Sequence, residues 1–66
     1  MSSQILEVAA AISTDPEKQK LVMQHWAQTS LDLGRLDRFQ FLCEVYHLDR
    51  HPAYHQTLAD LTRALT

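Results

Sequence analysis

The stretch DPEKQKLVMQHWAQTSLDLG, Asp15 to Gly34, decides the fold. Asp15 precedes a proline, so its backbone avoids the helical region while its carboxylate can accept from the first N–H groups of a helix. Pro16 has a fixed φ and no N–H, both suited to the first helical position. Thr14 and Glu17, three residues apart, offer a competing capping box. At the far end Gly34 supplies the left-handed residue that commonly closes a helix. Between these marks Val22, Trp26 and Leu33 fall near one line, with Met23, Ala27 and Ser30 beside it. Lys18, Gln24, Gln28 and Asp32 fall on other faces. The spacing predicts a helix from about Pro16 to Leu33.

Upstream, Ile5, Leu6, Val8, Ala9 and Ile12 repeat with helical spacing behind a possible cap at Ser2 or Ser3, and Ser13-Thr14-Asp15-Pro16 ends that segment. Downstream, Asp37 reads as the N-cap of a third helix reaching about Leu48, with Leu36 and Phe41 spaced as a hydrophobic staple. His51-Pro52 makes the last break. A fourth helix then runs to about Leu65 with Tyr54, Leu58, Leu61 and Leu65 on one stripe, and Arg63 suits the negative end of its dipole. No segment alternates as a strand does. The expectation is an all-α fold: a compact bundle of about four short helices with no sheet, residues 1–66 forming a single small helical domain.

Composition narrows the function classes. The 66 residues carry six Lys+Arg against eight Asp+Glu, a net charge of −2, which argues against general electrostatic binding to nucleic acid or anionic lipid. The longest apolar run, Val8 to Ile12, is far short of the roughly 20 residues of a membrane span, and no basic residue precedes it as in a signal peptide. One cysteine, Cys43, excludes an internal disulfide and fits a reducing compartment. A soluble cytoplasmic protein is expected.

One cluster invites chemistry. Cys43, His47, His51 and His55 recur at steps of four, and on an unbroken helix they would share a slowly drifting face with ligands suited to zinc. Pro52 interrupts that helix, so the four are expected as a core thiol and polar surface imidazoles, with no metal and no cofactor. Cys43 with His47 one turn away lacks an oxyanion loop and a third orienting residue, so no enzyme is expected. The helix-Gly-helix arrangement also suggests a DNA-binding helix-turn-helix. Its second helix offers only Arg38 and Gln40 as base readers, however, and the cations Lys18, Lys20, Arg35, Arg38, Arg50 and Arg63 are scattered.

The third segment carries Phe39, Phe41, Leu42, Cys43, Val45, Tyr46 and Leu48, apolar around most of a helix. Phe39 and Phe41 point about 200° apart, so only one can face the core. The staple with Leu36 assigns Phe41 inward and leaves Phe39, Tyr46 and Leu48 as the partner-binding set. The expected function is a non-enzymatic protein–protein interaction module, a small adaptor or regulator. It would bind a protein partner or a second copy as a homodimer. The alternatives are a small transcriptional or phage-type regulator contacting nucleic acid, and a metal-stapled helical domain.

Overall fold

The computed structural model describes residues Ser2–Thr66, with side chains from Ile5 onward, and the chain is all-α. Four helices follow in order, α1 (Ser2–Ile12), α2 (Pro16–Leu33), α3 (Leu36–Val45) and α4 (Tyr54–Leu65), with a 3-10 turn at Leu48–Arg50 between the last two. The expected Ser2 or Ser3 cap of α1 lies outside the described side chains.

The boundaries of α2 follow from local chemistry. The Asp15 carboxylate accepts from the Glu17 N–H at 3.0 Å, and Pro16 opens the helix. At the other end Gly34 takes a left-handed φ of 66°. Its N–H donates to the Leu31 carbonyl and that of Arg35 to the Ser30 carbonyl, the paired bonds of a Schellman turn. Leu33, expected on the buried line, is exposed. The buried side chains of α2 stop at Ser30, one turn earlier, and the Schellman turn then carries the chain away.

α2 is the hub on which α1, α3 and α4 all pack. Val22, Met23 and Trp26 from α2, Phe39 and Cys43 from α3, Leu48 from the turn, and Tyr54 and Leu61 from α4 form one core. The Phe39 ring stacks on Tyr54 with centroids 5.9 Å apart, and Trp26 lies against Tyr46 at 5.5 Å. On α4 the expected stripe holds, with Tyr54 and Leu61 buried and Leu58 and Leu65 packed against them.

The third helix departs from expectation at both ends. It starts at Leu36, with Arg35 as the N-cap, so Asp37 lies inside the first turn and pairs with Arg35 at 3.0 Å. It ends at Val45, because His47 adopts a left-handed φ of 61°, a conformation uncommon for a residue with a Cβ. Leu48 thereby leaves the helical phase, and the 3-10 turn folds it back into the core at 1% exposure. The apparent all-round hydrophobicity of this segment has two sources: Leu48 is not on the helix, and Phe41 and Val45 stay exposed on its outer side.

Phe39 is fully buried and Phe41 is 65% exposed, the reverse of the assignment from the staple. Leu36, Phe39, Leu42, Cys43 and Tyr46 form one continuous stripe at steps of three and four, and that stripe faces α2 and α4. Phe41 falls on the far side with Asp37 and Glu44, both exposed.

Candidate interaction surface

α1 sits on the bundle with its faces inverted relative to an ordinary amphipathic helix. At 100° per residue, Glu7, Ala10 and Ala11 fall on one side, and Ile5, Val8, Ala9 and Ile12 fall on the other within an arc of about 100°. The first side turns inward. Ala11 is buried and Ala10 packs on the core. Glu7 accepts from the Trp26 indole N–H at 2.7 Å and lies 3.4 Å from His25 Nε2.

The larger apolar side is left outside, with Ile5 72% and Ile12 69% exposed. These two, with Val8 and Ala9, border an open and almost wholly apolar depression. A second shallow groove runs between α1 and α2, where Leu6 and Leu21 flank Ala10 and Val22. Small inward residues explain the placement, since alanines let α1 lie close on α2 while Glu7 satisfies the indole that α2 brings to the seam. The Cα atoms span only 32 × 28 × 17 Å, about two helix layers, and among the described residues none covers the outward side.

Such a face differs from scattered exposed leucines. Single apolar side chains at the surface are ordinary, whereas Ile5, Val8, Ala9 and Ile12 are contiguous on one side of a helix. The composition of the segment could have revealed it. Residues 1 to 14 contain one charged residue, Glu7, set among aliphatics on all other sides, so whichever face turned inward, apolar surface was bound to remain outside.

The residues expected to bind a partner lie elsewhere. Phe39 and Leu48 are core side chains, and burial removes them from any docking face; Tyr46 is half-buried against Trp26. Their burial follows from the α3 stripe and from the early end of that helix at His47.

The residues spaced for metal are likewise parted. Cys43 is buried on α3, His47 lies beyond the helix end, His51 belongs to the turn and His55 is exposed on α4. Among the described residues no three His, Cys, Asp or Glu side chains gather as a metal-holding group. His51 has a structural task instead. Its Nδ1 accepts from the Ala53 N–H at 2.9 Å, which puts the ring proton on Nε2, and Nε2 donates to the Pro16 carbonyl at 2.9 Å. The imidazole thus clamps the start of α2 to the entry of α4, across 35 positions of sequence.

Burial pushes the Cys43 thiol up to about 12, helped by the charges of Asp49 and Glu44. A nucleophilic thiol needs the opposite shift, and the end of α3 at Val45 removes the helical register that would have set His47 one turn from it. Among the nucleic-acid candidates, Arg38 turns back onto α2, donating to Thr29 Oγ1 at 2.6 Å and to the buried Ser30 Oγ at 3.4 Å. Arg35 is held by Asp37, whose carboxyl falls below its ordinary range through that hydrogen bond, and Arg63 pairs with Asp60.

Among the described residues no helix is long and apolar enough to cross a membrane. Comparison with protein-family models, curated proteins and solved structures returned no match to this chain.

Proposed function

We propose that this protein is a non-enzymatic interaction module, a small adaptor or regulator that docks through the outward face of α1. One observation carries the reading: Ile5, Val8, Ala9 and Ile12 make a continuous aliphatic stripe on a helix whose other side already packs on the bundle. Covering such side chains contributes roughly 25 cal/mol per Å² of apolar surface, and i, i+3, i+4, i+7 anchors are the pattern by which helices dock on partners. The groups that would serve a thiol enzyme or a base-reading helix are otherwise occupied, the Cys43 thiol being buried and protonated and Arg38 engaged within the fold. A reducing cytoplasm suits an unpaired cysteine kept as a core side chain.

Site-specific photo-crosslinking in the cells that make the protein tests the proposal. A photoreactive residue at position 12 gives a discrete adduct, while the same residue at exposed Gln28, away from the stripe, does not. Equal yields at both positions, or none at position 12, would overturn the reading.

A further inference from the structure

Resting on that interaction reading, we infer that the occupant of the outward α1 face is a second copy of this chain. The two α1 helices pack antiparallel about a twofold axis passing between Val8 and Ala9. Residue matching is the first support. In an isologous pair residue i meets j and j meets i, so an antiparallel arrangement centred between positions 8 and 9 sets 5 against 12 and 8 against 9. The stripe has isoleucine at both ends, each about 70% exposed, and pairs the branched Val8 with the small Ala9 at the centre. Helix axes approach according to the side chains between them, and this pairing sets a small side chain beside a larger one at the crossing.

The second support is area. Ile5, Leu6, Val8, Ala9, Ile12 and Leu21 are all exposed. Together they leave on the order of 500 Å² of apolar surface. A standard-sized interface takes about 800 Å² from each partner, somewhat over half of it apolar. One copy of the same face fills that requirement. Stability points the same way, since a chain this short commonly gains from association.

Charge is the third. Glu7 is the sole charged residue among positions 1 to 14, and it faces α2. Along the α1 stripe two copies therefore meet without like-charge opposition, with Lys18 and His25 standing only at the margin of the groove beside Leu6 and Leu21. A lipid surface is the competing occupant. Helices that lie in the membrane interface carry Lys or Arg along their polar side, and α1 has neither.

Sedimentation equilibrium of the full chain, from about 1 to 100 μM to bracket a micromolar constant, decides the matter. Wild type approaches twice 7.6 kDa at the upper end and dissociates on dilution. Ile12→Glu stays at the single-chain mass throughout while keeping its helical circular dichroism; Ile5→Glu replaces it should that variant lose the spectrum. Leu33→Glu, at a leucine as exposed but off the face, dimerises like wild type. The wild-type melting temperature rises with concentration and that of Ile12→Glu does not. Orientation is read by disulfide formation: Ile5→Cys mixed with Ile12→Cys links into a covalent dimer, and neither variant does so alone, with buried Cys43 silent.

A single-chain mass for wild type at every concentration overturns the proposal. So does a monomer that floats with neutral phosphatidylcholine vesicles, which would assign the face to lipid. An adduct at position 12 to a different protein, with the purified chain monomeric, overturns the second copy while leaving the interaction module standing. Disulfides within either cysteine variant alone overturn the antiparallel arrangement.

Discussion

Phe39 and Phe41 are chemically identical, two positions apart on one helix, and structurally opposite. Phe39 is fully buried, stacked on Tyr54 at 5.9 Å with planes 7° apart, while Phe41 is 65% exposed beside Glu44. Truncating a buried phenylalanine to alanine typically costs about 3–5 kcal/mol, lost aromatic pairing included. At the usual stability per residue, a chain of 66 residues has about 3–10 kcal/mol in all. Phe39→Ala therefore removes between a third and all of it. Each kcal/mol is worth roughly 4–8 °C in a domain of this size, so the melting temperature falls by at least about 12 °C, or the transition disappears. Phe41→Ala leaves no cavity and stays within about 0.5 kcal/mol of wild type. The assay is urea and thermal unfolding followed by circular dichroism at 222 nm, a wavelength that reports helix, at one fixed low concentration so that association does not enter. Equal losses in the two variants, or a greater loss for Phe41→Ala, would refute the assignment of the α3 stripe and with it the packing of α3 on α2 and α4.

Three further outcomes follow from the contacts. Below its ordinary value of 9.0 the Cys43 thiol is protonated in folded and unfolded chains alike; between 9.0 and about 12 only the unfolded chain releases the proton. Stability accordingly falls as pH rises through that window, measurable as a lower urea midpoint near pH 10.5, and Cys43→Val reduces the loss. Glu7→Ala leaves the part-buried Trp26 indole N–H without its acceptor and costs about 1–3 kcal/mol. Glu7→Gln keeps an acceptor and recovers most of that, with tryptophan fluorescence reporting the change; equal stability of all three proteins would remove Glu7 from the seam. His51→Ala loses both bonds of the clamp between α2 and α4 and costs about 1–3 kcal/mol, whereas His55→Ala, at an exposed imidazole, is close to neutral in the same melts.

What the sequence made legible was local. Asp15-Pro16 and Gly34 set the limits of α2 through capping chemistry that acts within a few residues, and the α4 stripe Tyr54, Leu58, Leu61, Leu65 has only one apolar direction, so its inward face was determined. The choice between Phe39 and Phe41 went wrong because a staple was inferred from a cap at Asp37, while the helix begins at Leu36. The longer pattern Phe39, Leu42, Cys43, Tyr46 carried the correct phase. The left-handed His47 had only a faint signature, since residues with a Cβ seldom adopt that conformation although histidine is among those enriched there, and without it Leu48 could not be removed from the helix. The exposed apolar face of α1 was missed for a different reason. Hydrophobic periodicity says that a helix has two sides without saying which one the rest of the chain will cover. In α1 the smaller side chains and Glu7 were the better fit to α2, because Trp26 brings an indole N–H that needs an acceptor. That outcome depends on a contact spanning 19 positions, which no local rule reaches.

The inversion of α1 is the claim on which the interaction surface stands, and thiol labelling at neighbouring positions tests it most directly. Ile12→Cys and Ala11→Cys differ by one residue and by about 100° of helix, and the native Cys43 is buried with its thiol protonated. In dilute solution a disulfide reagent is expected to modify position 12 rapidly and position 11 only as fast as the protein opens. Raising the protein concentration should slow labelling at position 12 alone, as a second copy covers the stripe. Fast labelling at position 11 with slow labelling at position 12 under dilute conditions would place the isoleucine face in the core and contradict the account.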